Sequence, residues 1–293
     1  MPTSSPTAHS PQPLVNSAAP PPPVILIEAV HKWVPLNLHE VWEFRDLLYF
    51  LVQREIKGRY RQMALGPLWI VLAPLFNMVI FSVIFGKIAK LPSDGIPYPL
   101  FSYAALLPWT LFTTVATGAS NSLESYKSII SKVYFPRLVV PLAGLLSNLV
   151  DFLFSFLILL GMMACYGYWP HWAIVTLPLF LLVAGMAGLA IGLWFATWIV
   201  HFRDVAQILN FGLRALMYAS PVVYAMSVVP AKWLTLYRLN PMTNVIDGFR
   251  WALLGVGAPP DRMLLLSSLI VIPFLVSGAY YFRRTERTIV DIA

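Results

Sequence analysis

The chain reads as an all-α membrane protein with six transmembrane helices. An N-terminal interfacial amphipathic helix precedes them, and short re-entrant gate helices lie between spans five and six. Three observations predict this class. Of 293 residues, 58% are hydrophobic, against about 45–50% in soluble domains. Only 11% are charged, against about 25%. The charges are also gathered, leaving long stretches with none, and a water-soluble globule could not hide so much apolar surface. A cytosolic enzyme, a secreted domain and a disordered protein are thereby excluded. The single cysteine, Cys165, excludes a disulfide scaffold, an iron–sulfur centre and a cysteine-based zinc site. The net charge of +7 fits lysines and arginines facing the cytoplasm and calls for no nucleic-acid partner.

In chain order, residues 1–39 form a tail and lead-in, and 40–293 form the membrane domain. Eight prolines fall among the first 23 residues, a composition that cannot bury a core and reads as disordered. Without a basic start, and with only Val24–Ile27 apolar, this tail is not a signal peptide. From Glu40 to Arg61, Val41, Phe44, Leu48, Leu51, Val52 and Ile56 recur at three- and four-residue spacing, with charges on the other face. That apolar face can meet the inner headgroup layer or the protein's own cytoplasmic side. Gly66-Pro67, which bends the chain directly into span one, favours the headgroup layer.

Gaps between charges locate the spans. Arg61 and Lys87 enclose 25 uncharged residues, giving a first helix over about 65–85. Asp94 and Glu124 enclose 29, giving a second over about 98–119. The 51 uncharged residues between Asp151 and Arg203 exceed one crossing of a ~30 Å core. Tyr166 to Trp172, with its Gly, Pro and aromatics, divides them into spans over about 138–164 and 173–199. A fifth span runs over about 206–226, and the sixth fills the 20 uncharged residues between Arg262 and Arg283. Counting the basic residues nearest the spans, placing both termini inside puts eleven there against six outside, as the positive-inside rule requires.

Between spans two and three, Asn121 and Glu124 have capping-box spacing, and Leu123, Tyr126, Ile130 and Val133 form an apolar stripe. Such a helix folds onto neighbouring loops or docks another protein. Inside the spans, Asp151 and Arg214 are the two charges, each costing about 2.5–3.5 kcal/mol at mid-helix, so both should face the interior or water. An arginine's reach makes a pair between them feasible. Gly188 and Gly192 form a GxxxG, a common spacing in membrane helices. Outside, Ala231–Leu239 and Met242–Val256 are each too short to cross and are split by Asn240-Pro241. Asp247 and Arg250, at i and i+3, can pair on the second piece. There is no phosphate loop, metal-ligand spacing or nucleophile elbow, and too few membrane charges for an ion relay. The sequence therefore describes a passage whose motor is a separate subunit.

Several strings together resemble one family. Leu51-Val-Gln-Arg-Glu-Ile-Lys-Gly-Arg-Tyr-Arg-Gln-Met-Ala-Leu-Gly-Pro-Leu-Trp69, Leu107-Pro-Trp109, Lys132-Val-Tyr-Phe-Pro-Arg137, Phe202-Arg-Asp-Val205 and Leu239-Asn-Pro241 fall in order. Over about residues 45–290 they are similar to ABC type 2 permeases that export polysaccharides, chiefly O-antigen and teichoic-acid exporters. The resemblance implies a homodimer of six-span permeases in the bacterial cytoplasmic (inner) membrane, working with two copies of a separate ABC ATPase. ATP and Mg would sit on that partner, and this chain would carry no cofactor and no catalytic residue. The substrate would be a lipid-linked (polyprenyl-diphosphate) polysaccharide passing between protomers among membrane lipids. A coupling helix carrying Leu123, Tyr126, Lys127, Ile130 and Lys132 would rest in the ATPase. Asn240, Pro241, Asp247 and Arg250 would belong to the outer gate. Arg54, Lys57, Arg59 and Arg61, at headgroup depth, could attract the lipid diphosphate or simply anchor the inner side. Capsular glycan, a drug or a small lipid are alternative cargoes of the same architecture. A polyprenyl-lipid membrane enzyme is a rival without a paired carboxylate motif to support it.

Overall fold

In an apolar medium a chain must satisfy its backbone within each segment, and only helices do so segment by segment. The computed structural model describes residues 38–61, 68–126, 135–202, 204–257 and 259–292, and among these no strand forms. α1 (Leu38–Glu43) and α2 (Arg45–Arg61) meet at Phe44. Bonds from Phe44 N to Glu40 O and from Leu48 N to Phe44 O carry the ladder across that joint. The apolar stripe of the pair packs on Phe135, Val139, Val140 and Ala143. Protein therefore covers the face that the sequence assigned to headgroups. What α2 leaves exposed is its other side, with Tyr49 and Phe50.

α3 (Leu68–Phe81) continues in wider π-type turns through Ser82–Ile88. α4 (Tyr98–Ser120) is followed by the single turn α5 (Ser122–Ser125) and, after the 127–134 stretch, by α6 (Val139–Cys165). The break after α6 falls where Gly and Pro predicted it: Gly167 takes a φ of +74°, a left-handed value that glycine adopts without strain. A 3-10 turn, Trp172–Thr176, leads into α7 (Leu177–His201). Then come α8 (Val205–Tyr218), α9 (Ala231–Arg238), α10 (Pro241–Leu254) and α11 (Arg262–Ile292). Four stretches are long and apolar enough to cross a bilayer: Tyr98–Ser120, Val139–Cys165, Trp172–His201 and Arg262–Thr285. The first predicted span contains a shorter apolar helix, Leu72–Ile88. The fifth ends at Tyr218, short of the expected 226, because Pro221 removes an N–H and pushes the preceding residue out of helical geometry.

α4 is the buried centre, packed most heavily against α7 and then α6 and α10. The GxxxG explains how closely α7 approaches. A Cβ on Gly192 would lie 2.5 Å from the Ala119 Cβ and 2.7 Å from the Ala116 carbonyl, and one on Gly188 would lie 2.7 Å from the Phe112 carbonyl. These contacts put backbone against backbone, as small residues permit in membrane helices.

After α8 the chain turns without regular structure, yet Ser220, Pro221, Val222, Val223 and Ala225 are buried. Non-helical backbone at such burial needs donors, and one side chain on α10 supplies them. Arg250, 2% exposed, donates Nη1 to Pro221 O (2.6 Å) and Tyr224 O (3.4 Å), and Nη2 to Val222 O (3.0 Å). Its Nε donates to Phe101 O (3.3 Å), and the guanidinium lies 3.5 Å from the Phe101 ring centre. Asp247, one turn earlier on α10, adds its charge to the surroundings of Arg250.

Candidate functional site

Between α2, α3, α4 and α6 lies a cavity of about 190 Å³. Its polar end is assembled from two helices. On α6, Gly144, Ser147, Asn148 and Asp151 recur at the spacing that places them on one face. On α2, Glu55 and Arg59 stand one turn apart and face them. Arg59 Nη1 donates to Asn148 Oδ1 (3.2 Å) and to Asp151 Oδ2, and Nη2 donates to Ser147 Oγ (3.3 Å). Ser147 Oγ in turn donates to Glu55 Oε2 (3.0 Å). Partners on the two helices advance together, so the end of α2 runs alongside the first turns of α6. The opposite wall is apolar, with Trp69, Ala73, Pro74, Leu107 and Phe152. Asp151 thus finds its arginine on the amphipathic helix, and the pairing with Arg214 suggested by the sequence does not form. The ion pair joins α2 to α6, so neither charge stands alone.

Arg214 lines a second, open groove of about 250 Å³ between α4 and α8, with Thr113, Thr114, Thr117 and Asn210. Thr114 belongs to both walls, so the two spaces adjoin along α4. Thr113, Thr114 and Thr117 each donate Oγ1 to the carbonyl four residues back (3.1, 2.8 and 2.8 Å). This back-bonding keeps threonine tolerable in a helix and leaves the oxygen lone pairs facing the groove. Arg214, Asn210 and Gln207 are all exposed on α8.

Farther back along α2 the Arg54 guanidinium lies 5.1 Å from the ring centre of Tyr126, whose ring also joins the α2–α6 apolar cluster. Burial, and then the charge of Glu55, raise the Tyr126 hydroxyl above the ordinary tyrosine range, with Arg54 opposing. Leu123 is buried with Leu193, Ala196 and Phe282. The capping box does not form: Asn121 Nδ2 donates back to Thr117 O (2.9 Å), and Glu124 is exposed. Lys57 is exposed. The Arg61 side chain, Lys127, Ile130 and Lys132 lie outside the described residues. Glu40 at the start of α1 is bridged by Arg283 of α11 (2.8 Å).

Beyond the turn after α8, the two short helices α9 and α10 fall within a residue or two of their expected limits. Asn240 caps α10, its Oδ1 accepting from Met242 N (3.0 Å) while Nδ2 donates to Ser220 Oγ (2.9 Å), and Pro241 takes the first helical position. Asp247 is buried against Gly257, where a Cβ would lie 2.7 Å from the Asp247 carbonyl and where φ is +112°. Among the described residues no three His, Cys, Asp or Glu side chains converge as metal ligands.

Residues 46–254 match the family model described as ABC-2 type transporter. The chain is 32% identical over 256 residues to the O-antigen export system permease protein RfbA of Myxococcus xanthus, covering 85% of this chain and 96% of that one. It is 29% identical over 206 residues to RfbA of Klebsiella pneumoniae, covering 70% and 79%. It is 22% identical over 238 residues to the polysialic acid transport protein KpsM of Escherichia coli, covering 80% and 92%.

Proposed function

The chain belongs to the ABC-2 type transporter family, and we propose that it is the permease half of an ATP-driven exporter of a lipid-linked polysaccharide such as O-antigen. Its relatives are transport permeases for O-antigen and polysialic acid by name, and the ABC-2 family implies an ABC ATPase partner. The observation that carries the reading is the hydrophilic face of α4 and α8. Arg214 and Asn210 stand exposed and Thr113, Thr114 and Thr117 half-buried on otherwise apolar helices, which suits a wetted conduit completed by a second copy.

In the full reading the chain crosses the inner membrane six times with both termini cytoplasmic. α3 with its π-type extension makes the first crossing, and α8 with the buried turn after it makes the fifth. Two permeases and two ATPases form the working unit, and ATP and Mg are held by the ATPases. The 121–137 segment docks on the ATPase through Leu123, Tyr126, Lys127, Ile130 and Lys132. Motion reaching Tyr126 passes to α2 through Arg54. Arg54, Lys57, Arg59 and Arg61 draw the diphosphate of the carrier lipid to the inner side, and α9 and α10 close the outer one through Asn240, Pro241, Asp247 and Arg250. Co-reconstitution with the ATPase tests this. Hydrolysis should rise with lipid-linked O-polysaccharide and stay at its basal rate with hydrophobic drugs; stimulation by drugs alone would overturn the assignment.

A further inference from the structure

We propose that Arg59 is a phosphate site whose resting occupant is the Asp151 carboxylate, and that an anionic phosphate head group binds by taking that carboxylate's place. The pair is open to a ligand: it lines the cavity between α2, α3, α4 and α6, and its side chains are 30% and 20% exposed. A volume of about 190 Å³ equals roughly six waters at ~30 Å³ each, room for a phosphate or diphosphate and its first carbons. The walls have the polarity of such a ligand. Arg59, Asn148 and Asp151 gather at one end, and Trp69, Ala73, Pro74 and Phe152 offer an apolar surface at the other. The guanidinium fork accepts carboxylate and phosphate in the same geometry, so exchange needs no rebuilding of the donor.

Exchange has a mechanical result. Arg59 joins the end of α2 to α6, while Glu40–Arg283 and Arg54–Tyr126 hold the rest of the α1–α2 pair. Taking Asp151 off Arg59 removes the ion pair from this junction and leaves Ser147–Glu55, Glu40–Arg283 and Arg54–Tyr126 in place. Arrival of a head group is thereby linked to the helix that contacts Tyr126. The source of the phosphate rests on the exporter reading, since a carrier diphosphate and an ordinary phospholipid share the chemistry.

The test uses the permease–ATPase complex in nanodiscs, with undecaprenyl diphosphate and phosphatidylglycerol titrated separately and binding read from Trp69 fluorescence and native mass spectrometry. Arg59→Gln should weaken binding at least ten-fold, and Asp151→Asn should tighten it about five-fold, the scale of releasing a partly exposed ion pair. Arg59→Lys, which keeps the charge and loses the fork, should fall between, and melting curves identify any variant that fails to fold. Opposite signs for Arg59→Gln and Asp151→Asn are the signature of exchange. If both weaken binding, or neither changes it, the pair is structural and the proposal is overturned. Preference for undecaprenyl diphosphate identifies the carrier lipid as the occupant. Equal binding of phosphatidylglycerol leaves the exchange standing and removes its link to export.

Discussion

Replacing Gly192 with alanine is a direct test of how α4 and α7 are held. The new methyl carbon would stand 2.5 Å from the Ala119 Cβ and 2.7 Å from the Ala116 carbonyl, where ordinary carbon contact begins at about 3.5 Å. Backbone and a methyl carbon cannot swing aside as a long side chain would. α7 must therefore move away by about 1 Å, loosening the most extensive helix contact in the fold. Overpacking of this kind costs about 1–3 kcal/mol. Gly188→Ala meets the Phe112 carbonyl at 2.7 Å and the Val115 Cβ at 3.0 Å and should cost a similar amount. Both substitutions push α7 in one direction, so the double variant should cost less than the two singles added. The control is Gly161→Ala in α6, which meets nothing within 4 Å and should be neutral or gain up to about 1 kcal/mol from helix propensity. Unfolding in mixed micelles, followed by intrinsic tryptophan fluorescence, measures all four. If Gly192→Ala unfolds together with Gly161→Ala, the close approach of α4 and α7 is wrong.

Arg250→Met should destabilise by about 3–5 kcal/mol, because it leaves buried carbonyls of the 219–225 turn without donors; limited proteolysis should then cut that turn first, and an intact turn would contradict the pinning role. Arg214→Gln, in an open groove, should leave the melting midpoint nearly unchanged while lowering export in the reconstituted complex; a large drop in the midpoint, or undiminished export, would remove Arg214 from the conduit. Exchanging Tyr126 and Ile130 together for aspartate should leave ATP hydrolysis running without export, and full export by that variant would dispose of the docking assignment.

Charge gaps were enough to place α4, α6, α7 and α11, because lipid imposes length and apolarity on each span by itself. Elements whose limits depend on neighbours were harder to read. α8 stops at Tyr218 because of Pro221, a residue that a count of uncharged positions passes over. The partner of Asp151 was misjudged because Arg59 lies before the first span, and sequence depth gives no sign that α2 runs alongside α6. The available signal was the spacing of Ser147, Asn148 and Asp151, three polar side chains on one stripe of an apolar helix, matched by Glu55 and Arg59 one turn apart. Arg250 offered less. Its acceptors are backbone carbonyls, which carry no side-chain signature, and they come from elements up to 149 residues away. The GxxxG was visible as spacing, but only packing distinguishes a used pair from an incidental one.

The inward-bonded hydroxyls of α4 have a bearing on speed. With each proton committed to its own helix, Thr113, Thr114 and Thr117 offer a gliding sugar only oxygen lone pairs and methyl groups. A polymer bristling with hydroxyls could donate to these oxygens one at a time along the strip, each contact single and readily exchanged for the next. Successive residues could then slip past with little friction, leaving the pace of travel to events at the two ends of the route.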